Sequence, residues 1–396
     1  ARLARQHAAI KLCHKLRTTA FKEAIMKELA HLFYDASFLR DLNENHDLIC
    51  FTNGVYDLKN NIFRDGRPED KISLCTNNPY VQYNPRDSNV IEIEGFIESI
   101  MPDQEMTNFI KKVHGSCCSG SIEDEKFYIC TGTGGNGKSL SFSLLQMALG
   151  DYACVLPIQL LTQKRPVATA PSPEMALSKG KRCGLYQEGE DDDKLYSGRV
   201  KEITSNCDKI TPRTLYQEPI EFQSQLTNFY ICNCLPQPST FDGGLKRRLI
   251  VLPFDMSFVD NPQLPHERKI DRTIKTKFGV WAPVYSGMLI HYYKLYKIEG
   301  LEVPKRAREY TDDFQRDCDL YLEFMQYNIT KTGDEADSFT ITEAYRVFKD
   351  WYRNAYPGNK NIPLKDFKKN MQMKFNKKTQ VINGHKLTPV SFGDNQ

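Results

Sequence analysis

The residues Gly132-Thr133-Gly134-Gly135-Asn136-Gly137-Lys138-Ser139 fit the pattern G-x-x-x-x-G-K-S. Glycines at this spacing let the backbone curl so that several N–H groups face one anion. Lys138 then reaches toward the β- and γ-phosphates of ATP, and the Ser139 hydroxyl is placed to ligate Mg²⁺. The flanks agree with that chemistry. Phe127 to Cys130 is an apolar run suited to a strand, and Ser139 to Leu149 reads as a helix that Gly150 can end. A helix starting at the loop adds its partial positive charge to the phosphate site. ATP and Mg²⁺ are the expected cofactors, since a chance glycine-rich turn would need neither the strand before it nor the helix after it.

Four constellations follow the loop. Cys183 to Gln187 reads as a strand delivering Glu188 and Glu190 at its end, where carboxylates can hold Mg²⁺, the expected role of Glu188, and orient an attacking water. The adjoining Asp191-Asp192-Asp193 keeps an acidic surface loop open as the alternative. After a helical stretch from Ser197 to Ser205, Asp208 to Tyr216 reads as two extended arms about a short turn, presenting Lys209 and Arg213. Cations on a protruding loop suit a nucleic-acid backbone, although two surface cations alone decide little. Asn228 to Cys232 is a near-continuous apolar strand ending in Asn233, an amide that an open α/β sheet would bring beside the γ-phosphate; a turn-forming Asn before Pro236 is the plainer reading. Gly243 to Arg248 precedes a strand from Leu249 to Phe254, and Arg247 or Arg248 could neutralise transition-state charge as an arginine finger, or simply mark a positive strand entrance.

The elements that must position these residues are legible as an α/β core with a module on each side. Leu3 to Phe33 has helical spacing of apolar residues, and from Leu48 short β-like runs are broken by Asn53-Gly54, Asn60-Asn61 and Asp65-Gly66. A helix is expected around Glu105 to Cys117, and then strand, loop and helix repeat. Beyond Pro304, Asp312 to Asn328 reads as one amphipathic helix. Thr340 to Glu343 is a capping box opening a second, a third runs around Leu364 to Phe375, and Asn383-Gly384 sits between extended arms as in a hairpin. Helices closing with a hairpin suit a winged-helix-like domain. The expected divisions are 1–100, 101–300 and 301–396. Between Asn359 and Lys386, Lys360, Lys365, Lys368, Lys369, Lys374, Lys377, Lys378 and Lys386 face only Asp366 among acids, either a nucleic-acid footprint or a solvated basic face.

Composition limits the classes. At about 150 residues per domain, 396 residues make two or three domains. With 40% hydrophobic and 26% charged residues the chain is neither disordered, collagenous nor coiled coil. No apolar run approaches the roughly 20 residues of a membrane-spanning helix, so no membrane partner is expected. A net charge of +3 is too near balance to announce a nucleic acid by itself. The 12 cysteines are scattered without paired CxxC spacing and read as reduced core residues. Ala1 stands where an initiator Met would be, so a piece of a longer protein is expected.

The order of P-loop, acidic strand end, basic hairpin, strand-terminal Asn and Arg-Arg pair resembles the superfamily 3 helicases, a branch of the AAA+ ATPases. More closely, Asn53-Gly54-Val55-Tyr56-Asp57, the stretch from Lys201 to Phe222 and Gly244 to Arg248 are similar to the poxvirus-type primase-helicase family of large cytoplasmic DNA viruses, over roughly Leu48 to Phe392. The resemblance implies an AAA+ core and a homo-hexameric ring with ATP between subunits. It also implies single-stranded DNA threaded 3′ to 5′ past hairpins carrying Lys209 and Arg213, and work in the host cytoplasm. Lys138 and Ser139 would serve the nucleotide and Mg²⁺, Glu188 and Glu190 the acidic motif, Asn233 the γ-phosphate, and Arg247 or Arg248 a neighbour's nucleotide. Two departures stand out: Gln187 precedes Glu188 where relatives often have a second acid, and Lys246 stands where they often have Trp. The family's primase part lies N-terminal to the helicase, and Ala1 to Ile100 holds no evident paired-Asp polymerising site, so this chain is not expected to make primers.

Two rivals belong to other classes. A P-loop nucleotide kinase needs an acceptor pocket and a basic lid within one subunit, for which no segment between Gly150 and Asn233 is suited. An ATP-binding DNA assembly platform would carry the same motifs without unwinding. DNA-stimulated ATP turnover separates the motor from both.

Overall fold

The computed structural model describes residues 2–164, 172–187, 194–212, 220–238, 241–357, 361–375 and 380–388. Two helices, α1 (Arg2–Leu16) and α2 (Thr19–Leu32), open the chain, and neither buries a residue. A three-stranded antiparallel sheet follows, β1 (Leu48–Phe51), β2 (Gly54–Asp57) and β3 (Ile62–Arg64), its first turn closing at Gly54 as the Asn-Gly pair predicts. Asp87 and Asp103 each accept a backbone N–H at the start of α3 (Ser88–Ile100) and α4 (Gln104–Ser116), the short-side-chain caps such helix starts favour.

The centre is a five-stranded parallel sheet of β4 (Phe127–Thr131), β5 (Ala153–Leu156), β6 (Cys183–Tyr186), β7 (Thr227–Ile231) and β8 (Leu249–Pro253), in the spatial order β8-β4-β7-β6-β5. Every residue of β4, β6, β7 and β8 is buried, which is why these segments read as unbroken apolar runs rather than alternating ones. One face of the sheet is covered by α4, by α5 (Lys138–Leu149) and by the long α7 (Ile274–Glu299); α6 (Ser197–Ile203) and α8 (Lys305–Asp317) contribute to the core on the other. Close approach of α4 to α7 requires Gly115, where a Cβ would come within 2.6 Å of the Tyr293 nitrogen. The core on the α7 side is continuous from Ile49 to Ala307.

A separate core is built from α9 (Leu320–Asn328), α10 (Ile341–Ala355) and α11 (Leu364–Lys374), with Phe324, Phe348, Trp351, Phe367 and Met371 buried together. The predicted capping box is present: Glu343 N–H donates to the Thr340 hydroxyl at 3.1 Å, and Thr340 N–H donates back to the Glu343 carboxylate at 2.7 Å.

Three local expectations are corrected. Asp312 to Asn328 is not one helix: α8 ends at Asp317 and Asp319 caps the separate α9 by accepting Leu322 N–H at 3.2 Å. The competing cap, with its oxygen within reach of the backbone, breaks a run that apolar spacing alone would continue. The arms around Asn383-Gly384 do not pair with each other. Val381–Asn383 pairs with Ser338–Thr340, and His385–Leu387 pairs with Ile329–Lys331, so Gly384 turns the chain from one ladder to another. The first arm of the expected basic hairpin finds its partner beyond Asp208 to Tyr216: Lys209–Ile210 pairs with Phe222–Gln223, and residues 213–216 lie outside the described residues.

Candidate functional site

The glycine-rich loop joins the C-terminal end of β4 to the N-terminus of α5. Gly132 has φ +151°, and a Cβ there would collide with the Phe254 carbonyl oxygen and come within 2.6 Å of Asn136 Nδ2. Gly135 at φ +74° and Gly137 at φ +82° occupy the left-handed region, and a Cβ on Gly137 would press on Ile100 at 2.8 Å. The glycines at these positions are therefore required by backbone geometry. Asn136 is buried and staples the loop: its Nδ2 donates to the Thr133 carbonyl and, at 3.3 Å, to the Phe254 carbonyl, and its Oδ1 accepts Lys138 N–H at 3.3 Å. Thr133 and Gly134 form the exposed crest of the loop.

Lys138 is only 5% exposed, and its ammonium donates to the Gly132 carbonyl at 2.5 Å and to Asn233 Oδ1 at 3.3 Å. The side chain thus lies folded under the loop, tied to the residue just beyond the end of the adjacent strand β7. The sequence reading of Lys138 and Asn233 brings together two residues 95 positions apart, and the structure places them in contact. Ser139 lines an open cleft beside the loop with Phe142, Ser143, Gln146, Leu185, Gln187 and Ile231. Gln187, which follows β6, lines that cleft; Glu188 and Glu190 lie outside the described residues. Beneath the loop, burial pushes the Cys130 thiol well up, with neighbouring Cys232 adding to the effect, so Cys130 supplies no nucleophile there.

Arg247 and Arg248 do not join this cluster. They precede β8, at the N-terminal edge of the sheet, whereas the glycine-rich loop leaves its C-terminal edge; the intervening strand of five residues amounts to about 16 Å. Their environments differ. Arg248 is buried, donating to Glu125 Oε2 at 2.7 Å and to the Gly244 carbonyl at 3.1 Å. Arg247 keeps 65% of its side chain exposed and reaches the same Glu125 oxygen at 3.3 Å. Asp242 caps the turn Gly243–Lys246 that leads into the pair. Its partial burial would raise its pKa, but hydrogen bonds from Lys201 and from the Leu245 N–H outweigh this and hold it below the ordinary carboxylate range. Lys209 is exposed and paired with Glu221 at 3.0 Å, and Arg213 lies outside the described residues.

Sequence reasoning missed Glu125. It sits at φ +49°, accepts Asn206 N–H at 3.2 Å through its second oxygen, and gathers both arginines. Only its place in the acidic run Glu123-Asp124-Glu125 hinted at it, and that run reads as solvated surface.

The D5 N terminal like family matches residues 2–102. A protein of Acanthamoeba polyphaga mimivirus named Putative helicase L207/L206 is 36% identical over 358 residues, which is 88% of this chain and 37% of that protein. Putative helicase 022R of Frog virus 3 is 25% identical over 85% of this chain and 42% of its own length. Putative primase C962R of African swine fever virus is 24% identical over 89% of this chain and 37% of its own length. The chain belongs to the primase-helicase family of nucleocytoplasmic large DNA viruses. It spans well under half the length of these curated relatives. Of these, the mimivirus protein is more similar to this chain than the African swine fever virus protein. Among solved structures, the apo NrS-1 C-terminal region aligns with a TM-score of 0.45 and 13% identity, covering 72% of this chain and 62% of that one.

Proposed function

We propose that this chain is the motor part of a viral DNA helicase, an ATP hydrolase whose nucleotide sits between neighbouring subunits of a homo-hexameric ring. The observation that carries it is the separation just described: Lys138 and Asn233 meet at one edge of the parallel sheet, while the arginines stand at the other. A single subunit then offers half of a hydrolytic site on each edge, and two subunits side by side would complete one. The strand order supports the AAA+ reading, because numbering the five strands along the chain gives 5-1-4-3-2 across the sheet. The helicase and primase names of the relatives support replication of a viral genome as the setting, with a primase part in the same polypeptide and the host cytoplasm as the place. No helix among the described residues is long and apolar enough to cross a membrane.

The loop fits a nucleotide triphosphate, since glycines at positive φ let its backbone curl so that N–H groups at the start of α5 can face an anion. Lys138 releases the Gly132 carbonyl and turns to the β- and γ-phosphates; Asn233 orients the γ-phosphate and the water in line with it. Ser139, at the cleft, and Glu188, following the strand beside it, would hold Mg²⁺, which supplies charge neutralisation on the phosphates. Glu188 or Glu190 takes the proton of the attacking water. Arg247, exposed at the opposite edge, reaches the neighbour's γ-phosphate, while Arg248 is held by Glu125 and shapes the turn. The difference in burial favours that division, because a finger must be free to leave its partner. Lys209 and Arg213 contact DNA phosphates in the ring's channel. The lysines of α11, on a winged-helix-like domain, give a second contact.

The decisive experiment is strand displacement on forked DNA together with DNA-stimulated ATP turnover, with Lys138→Ala as control. Unwinding and turnover that both vanish in the variant support the motor. ATP consumption indifferent to DNA, or unwinding that survives the substitution, refutes it.

A further inference from the structure

Asp319 is the most enclosed carboxylate among the ion pairs of the described residues, with 8% of its side chain exposed, and it faces two ammonium groups from different parts of the fold. Lys246, the last residue of the turn Gly243–Lys246, approaches Oδ2 at 3.4 Å. Lys374, the last residue of α11, donates to the same oxygen. The other oxygen caps α9 through Leu322 N–H. One buried anion therefore joins the C-terminal module to the turn that carries Arg247 and Arg248.

We propose that Asp319 is a positioning residue for the arginine pair, through which the place of α11 is felt at the neighbouring subunit's nucleotide. The inference rests on the reading of Arg247 as the residue that acts there. Lys246 is bonded in sequence to Arg247, and its surroundings leave it little freedom: its carbonyl accepts Gln315 Nε2 at 3.3 Å, and its ammonium lies 5.1 Å from the centre of the Phe241 ring. The Arg247 carbonyl in turn accepts Lys126 Nζ at 2.7 Å. A shift of Lys246 cannot be absorbed locally and is passed to Arg247. The charge count sets the direction of the response. With Asp319 present the node is one anion to two cations; without Lys374 it is one to one; without Asp319 two ammonium groups face each other and drive α11 away from the turn. Since α11 also carries Lys365, Lys368 and Lys369, a polyanion bound along it pulls on the same node.

The test uses the whole chain with ATP, Mg²⁺ and single-stranded DNA. Lys374→Met keeps the Lys246–Asp319 pair but cuts the tie to α11. It should lower DNA-stimulated kcat by roughly 2- to 30-fold, the span of couplings carried between sites, with KM for ATP unchanged. Asp319→Ala should do at least as much, and Asp319→Glu should recover most of the loss. In an Arg247→Ala background, followed by single-turnover hydrolysis, Lys374→Met should have no further effect. The proposal is overturned if Lys374→Met and Asp319→Ala turn over like the parent while Arg247→Ala is inactive, or if the Lys374→Met loss is undiminished in that background. An Arg247→Ala chain that hydrolyses ATP at the parental rate refutes the arginine reading instead, so the two failures are distinguishable.

Discussion

Replacing Lys138 with Met keeps the length and helix propensity of the side chain and removes only its charge, so the change should be read in nucleotide binding rather than folding. A phosphate charge about 4 Å from a largely buried ammonium is worth about 4 kcal/mol at the effective dielectric near a protein surface. The ammonium must first give up its hydrogen bonds to the Gly132 carbonyl and to Asn233 Oδ1, each about 1 kcal/mol. About 2 kcal/mol is left, which is roughly a 30-fold rise in Kd for ATP. Titration of a fluorescent ATP analogue with Mg²⁺, following anisotropy, measures this directly, and the melting temperature without nucleotide should move little. A Kd within three-fold of the parent would show that the ammonium stays tucked under the loop when nucleotide binds, and the assignment of Lys138 to the phosphates would fall.

Asn233→Ala should retain that binding and lose turnover, by about 10³-fold if the amide orients the reacting phosphate and water; equal loss of binding in the same titration would point to a disturbed loop instead. Arg248→Ala strands Glu125 and should lower the urea midpoint by an amount equivalent to about 2–3 kcal/mol, whereas Arg247→Ala breaks a mostly exposed pair, should cost under about 1 kcal/mol, and should slow hydrolysis by about 10³-fold, to a rate still readable in single turnover. His114 is buried against Tyr285, and burial pushes its pKa down to about 3. Its unfolded form takes up a proton near pH 6.5, so its contribution is whole above that value and declines as pH falls from 6.5 toward 3, by up to about 1.4 kcal/mol per unit. Chemical denaturation of the parent and of His114→Gln across that range should show the parent's steeper acid slope. Matching slopes would exclude His114 as the cause.

Four strands of the sheet were readable because burial on both faces writes itself as apolar runs, whereas the edge strand Ala153–Leu156, only partly buried, escaped; the loop was readable because φ above zero at Gly135 and Gly137 demands glycine. Lys138 and Asn233 could be paired from sequence because a sheet brings the ends of its strands to one edge, wherever they fall in the chain. What escaped were contacts fixed by tertiary geometry alone. Nothing at Asp319 distinguishes a node between two lysines from an ordinary surface acid, and it lies where apolar spacing continues a helix. The ladder crossing at Gly384 escaped for a related reason: an Asn-Gly turn specifies the bend, but the partners of the arms at Ser338–Thr340 and Ile329–Lys331 come from far upstream. The difference in burial between Arg247 and Arg248 escaped likewise, since two adjacent identical residues cannot announce it.

The distance between the two edges of the sheet has a consequence for mixtures. If each active seam borrows its lysine from one copy and its arginine from the next, then Lys138→Ala and Arg247→Ala chains, both inert alone, should regain activity when combined. Random assembly at equal proportions places an intact loop against an intact arginine at about one seam in four, so partial recovery from two dead preparations would register the sharing of labour in a single number.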